Sequence, residues 1–143
     1  MIRPMLEGDW EAWKPLWDGY LHFYRMQLDE RTTRSSFTRL CAKEQGMLGL
    51  IAVDERGAGL GLAHVVFHAS TWTGTSYCYL EDLFVAQQAR GTDLGRQLIH
   101  AVYAEAERAK SARVYWHTQQ YNAQARSLYD QVAHPTSFVV YQR

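Results

Sequence analysis

Residues 87–98 read "QQARGTDLGRQL". Two glycines, Gly91 and Gly95, stand four apart behind Arg90, and Asp93 sits where a phosphate-cradling loop would prefer a third glycine. Two readings are open. In the plain one, Gly91 relieves a turn and Gly95 lets a helix pack closely on a sheet. In the functional one, the stretch is an anion-binding turn at a helix N-terminus. There the unpaired backbone N–H groups and their partial positive charge are joined by the full charge of Arg90. The tract lacks the G-K-[ST] of a Walker loop, and the unit before it is not the dinucleotide βαβ fingerprint.

The flanks give the stretch its context. Upstream, "TSYCYLEDLFV" (75–85) is rich in β-formers and reads as a strand. Downstream, Leu94, Leu98, Val102 and Ala106 repeat every four residues, which predicts a helix over 94–109. Further out, residues 2–6 read as a short first strand. From Asp9, a candidate N-cap, Trp10, Trp13, Trp17, Tyr20, Leu21 and Tyr24 recur at helical spacing. A second helix over 29–43 turns Phe37 and Leu40 inward. "MLGLIAVDE" and "GLAHVVFHAS" are β-rich runs joined by "RGAG" as a hairpin. "ARVYWHT" (112–118) reads as a strand, 122–132 as a helix burying Ala125, Leu128, Tyr129 and Val132, and "SFVVYQR" as a closing strand. The order β-α-α-β-β-β-α-β-α-β describes one mixed α/β domain over 1–143.

Composition narrows the function classes. The 143 residues suit one domain with a real core. Lys+Arg and Asp+Glu are 15 each, so the formal charge is zero and no basic patch argues for nucleic acid or membrane binding. Cys41 and Cys78 lie far apart and outside any C-x-x-C spacing, which fits a reducing compartment. The start lacks the apolar core of a signal peptide, and no apolar run approaches the ~20 residues of a membrane span. The expectation is a cytoplasmic protein.

The histidines give no metal site. His64 and His68 have i, i+4 spacing, but Val65, Val66 and Phe67 favour a strand, on which the pair would lie about 13 Å apart. No Ser/His/Asp order or G-x-S-x-G elbow is present, so a hydrolase is unsupported. Glu81 and Asp82 are the candidate carboxylates. Strand alternation puts Tyr79, Glu81, Leu83 and Val85 on one face and Leu80, Asp82 and Phe84 on the other, which gives the two acids separate roles.

"YLEDLFVAQQARGTDLGRQLI" (79–99) resembles the central motif of the GCN5-related N-acetyltransferases, the GNAT superfamily, whose acetyl-CoA loop has the form Q/R-x-x-G-x-G/A. "NAQARSLYDQVA" (122–133) resembles the second motif, an Asn followed seven residues later by a Tyr on a helix. The resemblance spans most of the chain. It is closest to the diamine acetyltransferases, which share "YLED-x-FV", and to the yeast Hpa-type acetyltransferases. Two departures stand out: Asp93 replaces the middle glycine, and "AHPTSF" replaces the usual Gly-Phe after the last helix.

The resemblance implies a mixed, mostly antiparallel central sheet flanked by helices, with strands splayed at the cofactor site. It implies transfer of an acetyl group from acetyl-CoA to a primary amine of a small molecule such as a polyamine or an amino acid, without a metal. Peptide-lysine acetylation and a non-catalytic CoA-binding domain are the alternatives. Acetyl-CoA would lie against Leu83, Phe84 and Val85 and on the loop Arg90, Gly91, Thr92, Asp93, Leu94, Gly95 and Arg96. Glu81 would be the base that takes the amine's proton, and Tyr129 would donate to the departing sulfur. Periodicity alone makes Tyr129 a core residue. Asn122 would contact the cofactor or cap its helix. The first two helices would build the acceptor site, with Trp17, Tyr20, Tyr24, Asp29 and Glu30 as candidates, and those aromatics suit a plain core equally. The Hpa-type relatives pair through their C-terminal strands, so "SFVVYQR" implies a homodimer.

Overall fold

A computed structural model describes all 143 residues. In chain order the elements are β1 (Ile2–Pro4), α1 (Trp10–Phe23), α2 (Glu30–Ala42), β2 (Met47–Val53), β3 (Gly59–His68), β4 (Tyr77–Val85), α3 (Leu94–Arg108), β5 (Arg113–Tyr115) and α4 (Ala123–Val132). The five strands form one sheet in the order β1-β2-β3-β4-β5. The first four pair antiparallel, and β5 joins β4 in parallel after the α3 crossover. No helix is long and apolar enough to cross a membrane.

Strand alternation divides the core between the two faces of the sheet. Leu48, Leu50, Ala52, Ala63, Val65, Cys78 and Leu80 pack beneath the α3 residues Leu94, Leu98, Ile99, Val102 and Ala106. On the other face Ile51, Val53 and Leu62 meet Trp13, Leu16 and Trp17 of α1 and Phe37 and Leu40 of α2. The stripes read for α2 and α3 are buried, as are Trp13 and Trp17 of α1, whereas Tyr24 is 42 % exposed and Ala125, Leu128, Tyr129 and Val132 of α4 are only half-buried. Asp9 differs from expectation. It makes no cap bond to α1; its carboxylate receives both guanidinium nitrogens of Arg3, at 2.7 and 2.8 Å, and the Leu6 N–H at 2.7 Å.

Two expectations fail for stated reasons. The alternation along β4 is broken by a bulge: His64 faces Asp82 and Val65 faces Leu80, so Glu81 is the extra residue. Leu83 and Val85 consequently pack with the α3 face, and Phe84 with the α1 face. The closing strand over 137–143 does not form. Residues beyond Val132 join no element, and Phe138, Val139, Val140 and Tyr141 are 65–94 % exposed. Their β-propensity is real, but a strand exists only with a partner edge, and none within the chain reaches them.

Candidate active site

The site lies where β4 loses a neighbour. Tyr77, Cys78 and Tyr79 pair with Arg113, Val114 and Tyr115, and the parallel ladder ends there. β4 runs on to Val85 paired only with β3, so the other backbone edge of Leu83, Phe84 and Val85 faces no strand. This is the splay the resemblance implies. Arg90 already uses part of the edge: its Nε donates to the Val85 carbonyl at 3.2 Å, and its guanidinium sits 5.7 Å from the Phe84 ring centre.

The loop behind this edge is shaped by local chemistry. Gly91 has φ +80°, with open space around a built Cβ, so backbone conformation alone calls for glycine. A Cβ on Gly95 would lie 3.3 Å from Leu128 Cδ2 and 3.9 Å from Val85 Cγ2, so the close packing it allows is chiefly against α4. Thr92 Oγ1 donates to the Ala89 carbonyl at 2.6 Å and accepts from the Leu94 N–H at 3.3 Å. Asp93 is the N-cap residue of α3 but makes no capping bond. Arg96 Nε binds its carboxylate at 3.1 Å, and Arg96 also donates to Gln131 of α4. Arg96, not Arg90, neutralises the aspartate. An open strand edge running into a helix N-terminus fits an extended amide-bearing chain that ends in a pyrophosphate.

On the α1 side, the bulge turns both carboxylates into one cavity of about 460 Å³. Trp17, Arg39, Gln45, His64, Glu81 and Asp82 are among its lining residues. The acids do not lie on opposite faces, as plain alternation implied. Glu81 is exposed as a residue, yet dehydration of its carboxyl, and then the Asp82 charge, raise its pKa against the pull of His64 and Arg39. Asp82 is held from behind. Trp13 Nε1–H donates to His64 Nε2 at 2.9 Å, which leaves Nδ1 to carry the imidazole proton and donate it to Asp82 Oδ2 at 2.9 Å. An indole nitrogen can only donate, so the tautomer is fixed. His64 is 3 % exposed.

The aromatics of α1 line up beside this relay: Trp13 stacks on Trp17 at 5.6 Å and Trp17 on Tyr20 at 5.4 Å. Burial, and then the Asp82 charge, hold the Tyr20 phenol far above its ordinary value. Trp17 Nε1–H is buried and has no partner, a state that costs about 1–3 kcal/mol. Asp29 and Glu30 do not join the site. Asp29 caps α2 by accepting from the Thr32 N–H at 2.7 Å, and Glu30 pairs with Arg34 at 3.1 Å.

On α4, Asn122 caps its helix, accepting from the Ala125 N–H at 3.4 Å. Tyr129 is half-buried, edge-on to Trp116 at 5.4 Å. Burial first, and Tyr24 second, raise its phenol pKa, while Asp82 acts on Tyr24 in turn. The sequence reading missed His64, weighed there only as a metal ligand, together with Trp13 and Arg39. Two adjacent acids inside an otherwise apolar strand were the available signal, because a bulge is what lets neighbours share a face.

The acetyltransferase (GNAT) family pattern matches residues 3–133. A D-amino-acid N-acetyltransferase of Saccharomyces cerevisiae is 35% identical, over 100% of this chain and 89% of its own length. Among solved structures, a probable acetyltransferase superposes with a TM-score of 0.88 at 20% identity, covering 100% of this chain and 96% of the other. An aminoglycoside N-acetyltransferase bound to a CoA-based bisubstrate analogue gives 0.86 at 18% identity, with 100% and 96% covered.

Proposed function

The chain belongs to the acetyltransferase (GNAT) family, and from that premise we propose that it transfers an acetyl group from acetyl-CoA to the primary amine of a small molecule. The observation that carries this reading is that three features follow one another along the chain. The unpaired edge of β4, the glycine loop before α3 and the carboxylate pair at the β4 bulge fall on one continuous stretch, residues 81–96. Leu83, Phe84 and Val85 would hold the pantetheine chain by their backbone. Arg90, Gly91, Thr92, Asp93, Leu94, Gly95 and Arg96 would surround the pyrophosphate, and Asn122, which caps α4, would contact the cofactor chain. Acetyl-CoA supplies the activated acyl carbon.

The chain's own groups meet the remaining demands. An alkylammonium with a pKa near ~10.4 must lose a proton before it can attack. Glu81, its pKa raised by dehydration and by the Asp82 charge while the residue stays open to solvent, is the base and passes the proton to water. Asp82, fixed by His64, holds the amine in place. Outward N–H groups of β4 face negative charge developing on the carbonyl oxygen. Tyr129 donates a hydrogen bond to the leaving sulfur. Its phenol is a weaker acid than a thiol at ~8.5 even before burial raises it further, so it keeps its proton.

The exposed tail Phe138–Tyr141 would complete a sheet edge of a second copy, giving a homodimer. Light scattering of the chain and of a version ending at Pro135 tests this: a monomer at micromolar concentration for both refutes it. The activity is tested by free-thiol release from acetyl-CoA against small amines and lysine peptides. Turnover of small amines supports the reading. Thermal protection by acetyl-CoA without any turnover would make this a CoA-binding domain.

A further inference from the structure

Gly19 has no local reason to be glycine. It lies inside α1 with φ outside the left-handed region, where glycine weakens the helix relative to alanine. The reason lies on β4. A Cβ built on Gly19 would stand 2.8 Å from Phe84 Cζ and 3.0 Å from Cε2, so the Phe84 ring rests tip-first against the bare backbone of the helix. Tyr20 meets the same ring edge-on at 6.2 Å. A second observation concerns what the ring carries. The Arg90 guanidinium sits 5.7 Å from the ring centre, and Arg90 Nε donates to the Val85 carbonyl at 3.2 Å. Arg96 is paired with Asp93, whereas Arg90 is paired with no carboxylate. Its charge is held in place by neutral groups and stays free for an anion.

We propose that Gly19 is a positioning residue for the cofactor: it seats the Phe84 ring against α1, and the seated ring holds the Arg90 guanidinium where the pyrophosphate of acetyl-CoA would meet it. The inference rests on the acetyl-transfer reading and adds a tertiary support beneath a loop otherwise shaped by its neighbours in sequence. An arginine stem has rotamer freedom to lose on binding an anion, and a guanidinium already held by a ring and a carbonyl loses less of it. The margin is narrow. A cation keeps its attraction to a ring within about 6 Å of the centroid, and Arg90 sits just inside that reach. In Gly19→Ala the ring tip must withdraw by several tenths of an ångström to reach ordinary contact. The ring is rigid, so the platform under Arg90 shifts as a whole.

The test is calorimetric titration of acetyl-CoA into the wild type, Gly19→Ala, Phe84→Leu, Arg90→Ala and the three pairwise double variants. Gly19→Ala is expected to weaken acetyl-CoA roughly 2- to 5-fold, the worth of an exposed cation–π contact. Its melting temperature is expected to hold or rise, because alanine favours the helix. In turnover the loss falls on KM for acetyl-CoA, with kcat unchanged at saturating cofactor. Phe84→Leu removes the ring without crowding α1 and is expected to weaken acetyl-CoA by a similar factor. Gly19→Ala then adds no further loss in the Phe84→Leu or the Arg90→Ala background. Unchanged acetyl-CoA affinity in Gly19→Ala or in Phe84→Leu overturns the inference. A Gly19→Ala loss that persists in full in the Arg90→Ala background overturns it too, since the effect then bypasses Arg90. If Gly19→Ala does not fold, Phe84→Leu and Arg90→Ala decide by the same criterion, and additive losses overturn the inference. Each of these outcomes leaves acetyl transfer standing. No binding of acetyl-CoA by the wild type removes the acetyl-transfer reading itself, and this inference with it.

Discussion

The two walls of the site are built on opposite principles. The acceptor wall is made of side chains held by other side chains across long sequence separations: Trp13 to His64 spans 51 residues and His64 to Asp82 spans 18. The cofactor wall is made of backbone shaped by neighbours in sequence. Thr92 bonds to Ala89 and Leu94, and Arg96 bonds to Asp93. A wall of the first kind is rigid and intolerant of change, because each buried polar group depends on its partner. One of the second kind tolerates substitution, since its N–H groups belong to every residue. Asp93 in place of a glycine is the position at which that tolerance can be tested.

The sharpest way to break this comparison is to attack the chemistry on both walls. Glu81→Gln and Tyr129→Phe should each lower kcat by roughly 10²–10⁴-fold, the range for general acid–base groups. Glu81→Gln should regain rate at high pH, where free amine appears without a base; a loss equal at every pH would exclude that role. Stability separates function from fold. Glu81 has a folded pKa above its unfolded one. Its contribution to stability is therefore present below the unfolded pKa and lost as pH rises through the raised folded value. Glu81→Gln should melt higher than wild type at neutral pH while turning over more slowly, measured by thermal scans between pH 4 and 8.

The next largest effect lies in the relay. His64→Leu leaves the Trp13 Nε1–H buried without a partner and should cost about 1–3 kcal/mol in denaturant unfolding. Asp82 loses its donor as well, so KM for the acceptor should rise. His64→Asn splits the two consequences. Its amide N–H can replace Nδ1–H towards Asp82, but the side chain is too short to reach Trp13. Acceptor KM should recover in His64→Asn while stability stays low. If both variants bind acceptor alike, His64 packs the core and does not orient Asp82.

The same contrast explains which parts were legible in sequence. The glycine loop, the α3 stripe and the Asn122-to-Tyr129 spacing are local patterns, and the structure forms each within about a residue of the reading. The Trp13–His64–Asp82 relay is tertiary, so no spacing announces it. Alternation failed at Glu81 because one inserted residue reverses every face that follows it. The tail 137–143 was read as a strand from propensity alone, but strand formation is a property of a pair of edges. Trp17 and Tyr20 sat correctly on the inward face of α1. Only the structure distinguishes the Trp17 Nε1–H, which has no partner, from that of Trp13, which has one.

The smallest expected effect tests the tolerance of the cofactor wall. Asp93 starts α3, where a carboxylate is favourable for the helix by roughly 0.3–1 kcal/mol. Its exposed carboxylate also binds Arg96 at 3.1 Å. Asp93→Gly removes both contacts and adds backbone freedom to the unfolded chain, so the free protein should melt slightly lower. The same change removes a negative charge from the terminus where a pyrophosphate would sit, and it releases Arg96 to face that ligand. Acetyl-CoA binding should therefore tighten. Because the charge is exposed, the gain should shrink as salt shortens the screening length from about 10 Å at 0.1 M to about 3 Å at 1 M. Calorimetric titration of acetyl-CoA at both salt concentrations reads the effect directly. Tighter binding that is independent of salt would trace the gain to the glycine backbone. Weaker binding would mean that Asp93 holds Arg96 in its productive position, and that the cofactor wall depends on a side-chain pair after all.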